Sequence, residues 1–339
     1  LSGKEVWFKN IEISEKSKEN VRGIFYEDHY DWEADQSPRI QEEELIAYAI
    51  HVRGFTKDTH SKVKNKGTFQ GVIEKIPYLK DLGINQIQCM PVYEFEEAGM
   101  RINYWGYGPG YYFAPKSAYA KDGDGVKGLK DLVKYCHKAG IEVVLEMPFS
   151  EGVSGLMVTD CLRNYVMEYH VDGFSLDLID CVNMKYRGAS HVYKWLDDIK
   201  KSLAEEDTNL VIWGDNYTKE ERQNKTSVYD EIIGTTGGTY GDRNEKAVKI
   251  YKQKAAMKYA TPGTLFMDGG EEMCNSVKET GSSCLEWKDS ADYADVVSYY
   301  RGLMEIRKAF SPLAKSQTIK NSEVYVLAGT KDDEWNTMA

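Results

Sequence analysis

The seven residues Val171-Asp172-Gly173-Phe174-Ser175-Leu176-Asp177 constrain this chain more than any other stretch. Apolar Val171, Phe174, Leu176 and Leu178 bracket two acids, Asp172 and Asp177. A short apolar run of this kind is the pattern of a strand buried in a parallel sheet. In a barrel of alternating strands and helices, the C-terminal strand ends carry the chemistry. Asp177 occupies such an end. A carboxylate there is a nucleophile or a ligand-orienting group, or it simply caps the loop that follows.

Similar runs recur along the chain. Leu45 to Thr56 reads as a buried strand running into a turn at Gly54. Ile84 to Val92, Ile141 to Pro148 and Asn209 to Asp215 read as further strands, Tyr229 to Asp242 as a strand and turn, and Thr261 to Glu272 as the last strand. Between them lie helical spacings: Ile73, Ile76, Leu79 and Leu82 closed by Gly83; Leu129, Leu132, Val133 and Cys136 ended by Gly140; Val192, Trp195, Leu196 and Ile199; Ala247, Ile250, Tyr251, Lys254 and Met257; and Val296, Val297, Tyr300, Leu303, Met304 and Arg307. A long loop runs from Tyr93 to about Gly125, and loops of that length are usually functional. It holds Asn103-Tyr104-Trp105-Gly106-Tyr107-Gly108-Pro109 and Tyr111-Tyr112-Phe113-Ala114-Pro115. About fifteen residues link Asp215 to Tyr229, too few for a helix, a strand and a second helix. The expected fold is therefore α/β, a (β/α)8 TIM-type barrel that is degenerate or short by one βα unit.

Asp-Gly-Phe-x-x-Asp at 172–177 resembles the strand-four motif of the α-amylase superfamily of glycoside hydrolases. His51-Val52-Arg53-Gly54-Phe55-Thr56 resembles the first barrel strand of isoamylases and pullulanases. The 103–115 loop resembles the isoamylase loop whose Tyr stacks on the sugar at the cleavage subsite, and Tyr299-x-Arg301-Gly302-Leu303-x-x-x-Arg307-Lys308 resembles the family's closing helix. The resemblance covers roughly 30–312. It implies a debranching-type barrel at 41–312, the remnant of an N-terminal β-domain and linker at 1–40, and the start of a C-terminal β-domain at 313–339. It carries the nucleophile to Asp177, the general acid/base to Asp215 in Gly214-Asp215-Asn216-Tyr217, and substrate binding to Tyr104, Trp105 and Tyr107, with sugar stacking on Tyr107. The bland alternative for these aromatics is that they plug the barrel mouth.

The motifs also depart from the family. Ser175 stands where an Arg would steady the nucleophile. Glu146, Ser150 and Glu151 stand where an Asp, an Asn and a sugar-bonding His would line the site. Asp215 replaces a Glu, which leaves its carboxyl about 1 Å short, and misplacement on that scale costs about 10²-fold. Thr235 and Thr236 fall where a His-Asp pair would stabilise the transition state. About twenty residues separate Ser150 from Val171, where the family usually inserts a larger loop.

The chain has 339 residues, 42% of them hydrophobic, and a formal net charge of −11. An acidic surface argues against nucleic acid and anionic membrane as partners and suits a neutral ligand such as a sugar. No apolar run approaches the ~20 residues of a membrane helix. Cysteines at 89, 136, 161, 181, 274 and 284 have no metal spacing, and Cys89, Cys136 and Cys161 sit in apolar patterns, so reduced core thiols are expected. No metal and no cofactor are expected. The chain starts at Leu1, so a removed signal peptide is invisible; a cytoplasmic location is placed ahead of a secreted one.

Retaining hydrolysis needs a nucleophile and a general acid about 5.5 Å apart. Each lost preorganised group costs on the order of 10²-fold. Three readings follow: a glucan-binding pseudoenzyme of the debranching type with weak or absent turnover; an active retaining α-glucosidic hydrolase using Asp177 and Asp215; and a non-catalytic structural or regulatory partner. The first ranks ahead of the second, and the third is last.

Overall fold

The computed structural model describes residues 7–8, 25–41, 44–97, 103–150, 153–177, 201, 211–214, 227–238, 243–260, 264–275 and 284–309. Two short strands, β1 (Trp7–Phe8) and β2 (Phe25–Tyr26), pair antiparallel. The body is built on β3 (Ile46–Ile50) and β4 (Gln86–Cys89), then a small antiparallel pair, β5 (Tyr93–Glu94) and β6 (Tyr111–Pro115), then β7 (Glu142–Pro148), β8 (Gly173–Asp177), β9 (Val211–Gly214) and β10 (Leu265–Asp268). Six of these form one parallel sheet in the order β10-β3-β4-β7-β8-β9. Successive strands lie side by side and the last returns beside the first, which is the order of a (β/α)8 barrel. Among the described residues the ring is not closed between β9 and β10.

Alternation along the strands separates two faces. Ile46, Tyr48, Ile50, Ile87, Cys89, Val143, Leu145, Met147, Phe174 and Leu176 join one apolar core with helix residues such as Leu79, Leu129 and Leu132. The other face carries Ala49, Gln88, Val144 and Gly173, which the register places side by side, and one layer on, Glu146 beside Ser175. Small and polar residues on that row give the sheet an interior face.

Helices fill the connections: α1 (Val52–Thr56), α2 (Phe69–Glu74) and α3 (Ile76–Leu82) after β3; α4 (Gly125–Lys138) before β7; α5 (Gly155–Tyr169) before β8; α6 (Val228–Thr236) and α7 (Glu245–Tyr259) before β10; α8 (Asp289–Asp292) and α9 (Ala294–Ala309) after it. Thr68, Asp124, Ser154, Ser227 and Asn244 each accept a backbone N–H of the first turn, and such caps are worth ~1 kcal/mol apiece. Gly83 ends α3 at φ 100°, a conformation open to glycine.

Residues 28–40 lie as a strap along α4. Asp28 pairs with Lys130, Tyr30 Oη donates to Asp131 (2.9 Å), and Glu33 holds Lys134 and Lys138 at 2.8 Å each. Asp35 then meets His137 and His170, Ser37 meets Asp172, and Ile40 N–H donates to Glu142 (2.7 Å). Trp32 stacks on His170 with ring centroids 3.8 Å apart.

The structure corrects three readings. Residues 229–236, expected as a strand, are helical. Ser227 caps α6, Asp230 and Glu231 occupy its first turn where the helix dipole favours acids, and Gly237 closes it at φ 73°. Buried Tyr229, Ile232 and Ile233 follow helical spacing, so the apolar run that suggested a strand is one helix face. Thr235 and Thr236, expected at the end of a catalytic strand, lie in the last turn of α6, both donating to Ile232 O at 2.9 Å. The first strand stops at Ile50, because His51 caps α1 and residues 52–56 are helical. The expected helix at 192–199 lies outside the described residues.

Candidate active site at the C-terminal strand ends

The register fixes the backbone of the site. Pro148 is paired with Asp177, Glu146 with Ser175, and Leu176 with Gly214. Asp177 therefore ends β8 with its backbone beside β7. Asp215 follows Gly214 in the sequence and lies outside the described residues, as does Glu151. Paired neighbouring strands run ~4.8 Å apart. Ser175 is buried where the family places an Arg, in the same row as buried Glu146. Ser150 is held by Tyr112, whose Oη donates to Ser150 Oγ (2.9 Å) and accepts from Ser150 N–H (2.9 Å).

The aromatic loop, anchored by the β5–β6 pair, meets the ends of β3 and β7 through His51 and Ser150. Tyr93 Oη donates to Gly106 O (2.8 Å), and Gly106 N–H donates to Asn103 Oδ1 (3.1 Å). Gly106 has φ 82°, and a Cβ on it would stand 2.6 Å from the Phe95 ring and 2.9 Å from Pro91, so only glycine fits this turn. Tyr104 and Trp105 are half-buried and meet edge to face at 5.3 Å; Tyr107 is 5% exposed. Tyr104 Oη lies 3.8 Å from Cys284 Sγ.

A charge network fastens the loop base. Lys116, 1% exposed, contacts Glu94 (3.1 Å) and Glu97 (3.3 Å) and donates to Phe95 O (2.9 Å), while Arg53 bonds Glu97 at 2.7 Å. Beneath the loop sits His51, 6% exposed. Its Nδ1 accepts from Gly54 N–H (2.9 Å) and its Nε2 lies 2.9 Å from Tyr104 O. Burial holds its pKa down to about 3, so the ring is neutral. The sequence shows His51 and Arg53 only as letters of a strand motif. Their role depends on residues more than forty positions away, and no local spacing reveals it.

Among the described residues no group of three His, Cys, Asp or Glu is placed to hold a metal ion, and no helix is long and apolar enough to cross a membrane. Cys89, Cys136, Cys161 and Cys274 are buried free thiols, as their apolar setting implies; Cys181 lies outside the described residues.

Three comparisons point to the α-amylase catalytic domain and its relatives. The Alpha-amylase family (Alpha amylase, catalytic domain) matches residues 49–151. Isoamylase 1, chloroplastic, of Arabidopsis thaliana is 32% identical over 212 residues, 45% of this chain and 27% of that protein. The glycogen operon protein GlgX homolog of Haemophilus influenzae is 26% identical over 258 residues, 60% of this chain and 39% of that protein. A pullulanase from Paenibacillus barengoltzii, solved with maltohexaose and α-cyclodextrin, superposes with a TM-score of 0.68 at 17% identity, over 82% of this chain and 65% of that one. The chain thus spans about a quarter to two-fifths of these curated relatives. Its residues 49–151 thus match the α-amylase catalytic domain, and over a longer stretch the chain is similar to isoamylases and GlgX homologs, with the fold of the pullulanases.

Proposed function

We propose that this chain binds α-glucans of the glycogen and starch class through the Tyr104–Trp105–Tyr107 loop, at a debranching-type site whose hydrolytic turnover is weak or absent. The observation that carries the reading is the register of β8 between β7 and β9, with the aromatic-loop region tied to the end of β7 through Tyr112 and Ser150. It supports Asp177 in the nucleophile position and Asp215 in the acid/base position. Aromatic faces hold sugar rings by stacking, which needs no charge network. The weakness follows from Ser175, which offers no cation to orient Asp177, and from the shorter Asp215. Residues 41–312 act as the barrel unit of this site, between the remnants of β-domains at 1–40 and 313–339. The buried free thiols suit a reducing, cytoplasmic setting.

The same register favours a second reading, an active retaining hydrolase using Asp177 and Asp215. One experiment separates them. Incubation with glycogen and with pullulan is read by reducing ends, beside electrophoresis through a glycogen gel. Retardation with little release supports binding without turnover. Release at the rate of ordinary debranching enzymes, lost in Asp177→Asn, supports the hydrolase. Neither retardation nor release leaves a structural partner.

A further inference from the structure

We propose that His51 is a positioning residue that sets the Tyr104–Trp105 platform for its glucan. The proposal rests on the reading of the loop as a glucan platform. Nδ1 accepts from Gly54 N–H at 2.9 Å, so the ring proton is on Nε2. Nε2 faces two oxygens, Tyr104 O at 2.9 Å and Tyr119 Oη at 3.1 Å. A carbonyl can only accept, so the Nε2–H points at Tyr104 O. Protonating Nδ1 would set two N–H groups against each other at Gly54. The neutral tautomer is thereby fixed.

The ring does the rest. It lies nearly parallel to Tyr104, with centroids 4.3 Å apart and planes at 24°, and it meets Trp105 edge-on at 5.5 Å. One face of Tyr104 therefore rests on a rigid, buried plate, and a sugar ring would meet the face that His51 does not cover. Holding an aromatic in place before binding lowers the ordering cost of binding. The loop base does not depend on this plate, because Lys116, Glu94, Glu97 and Arg53 fasten it separately. His51 can be changed without undoing that anchor.

Two variants test this. In His51→Asn, Oδ1 takes the place of Nδ1 and still caps α1 at Gly54, but the Nε2–H and the ring are gone. In His51→Gln, an amide N–H returns near the Nε2 position, without the ring. The expected result is that His51→Asn weakens retardation in glycogen gels by about tenfold or more, and His51→Gln recovers part of it. Without any glucan, His51→Asn should also speed amide hydrogen exchange across 103–112 while leaving 142–148 protected. An Asn variant that binds glycogen as the wild type does, with unchanged exchange at 103–112, overturns the proposal. Unchanged binding of glycogen with faster exchange also overturns it, because the plate would then order the loop without serving the ligand. If the wild type is not retarded and Trp105→Ala changes nothing, the glucan reading itself fails and takes this proposal with it.

Discussion

His137 Nε2 lies 2.9 Å from Asp172 Oδ2, and this contact ties α4 to the residue that opens the Asp-Gly-Phe strand. The same carboxylate accepts Val143 N–H at 2.6 Å, joining the start of β8 to β7, and it accepts the Ser37 hydroxyl of the strap. Asp172 is buried, so every one of these bonds replaces lost hydration. The first acid of the motif is thus a fastener at the N-terminal end of the strand, at the opposite end from Asp177. Removing one partner of a buried charged pair costs about 3–5 kcal/mol. Asp172→Ala should lose stability on that scale in urea unfolding, and Asp172→Asn, which keeps one acceptor oxygen, should lose less. An Ala variant within about 1 kcal/mol of wild type would be too small a loss for a broken buried pair.

His137 also predicts a pH dependence. Its Nδ1 stands 3.1 Å from Asp35, which also takes His170 Nδ1 at 2.9 Å. Burial alone would depress the imidazolium, but the hydrogen bonds to Asp172 and Asp35 outweigh it and hold the pKa up at about 9. For Asp35, burial opposes the carboxylate, and the bonds from His137 and His170 hold it well below the usual carboxylate range. A raised histidine pKa stabilises the fold fully below its unfolded value near 6.5, and that gain is lost as pH rises through 9. The difference is worth about 3 kcal/mol. Glu142 acts at lower pH: burial and the nearby Asp172 push its carboxyl up to about 7, so its share of stability falls as pH rises from about 4.5 to 7 and is constant above. Thermal unfolding should therefore show Tm falling between about pH 6.5 and 9.5, and His137→Gln should be less stable at pH 6 and flatter across that range. A Tm that rises through the window would contradict this assignment.

These contacts show what a sequence can and cannot carry. The buried runs at 46–50, 86–89, 142–148, 173–177, 211–214 and 265–268 were legible because a strand buried on both faces has a local apolar signature. The run at Tyr229–Ile233 carried the same signature and was helical. The deciding marks were the Ser227 cap, the acids of the first turn and Gly237, not the apolar letters. The strap was not legible at all, since Asp35 and His137 are 102 positions apart. His51 and Tyr104 are 53 apart, and nothing in the strand motif foretells that pairing. Motif recognition located Asp177 and the aromatic loop. The groups that hold the loop in place came only from three dimensions.

Gly106 gives a sharper test of the loop. At φ 82°, an L-residue pays ~1–2 kcal/mol, and a Cβ there would press into Phe95 and Pro91. Forcing a methyl into packed surroundings adds ~1–3 kcal/mol. Gly106→Ala should lower Tm by a few degrees and shift Tyr104 and Trp105 enough to weaken glycogen retardation at least about tenfold. Gly123→Ala is the control, because nothing lies within 4 Å of a Cβ there, although its φ of 78° carries the same backbone cost. Equal loss of binding in both variants would mean that strain anywhere, rather than displacement of the platform, reduces glucan binding.

Stacking and hydrolysis draw on different groups of this site. Trp105 belongs to the loop, and Asp177 ends β8. Stacking draws on apolar contact and ring polarity, so it should survive loss of a carboxylate. Asp177→Asn should therefore keep glycogen retention close to wild type, and Trp105→Ala should abolish it. Hydrolysis responds differently. An Asp with no Arg two residues earlier has lost a cation that would orient it and favour its charged form. Ser175 makes that loss permanent in this chain, since its hydroxyl is buried beside the β7 row and carries no charge. Reducing-end release from pullulan should then be slower than that of an ordinary debranching enzyme by several powers of ten, at about 10² for each lost group. Any residual release should vanish in Asp177→Asn. Release that persists unchanged in Asp177→Asn would show that the strand-end acid is not the nucleophile.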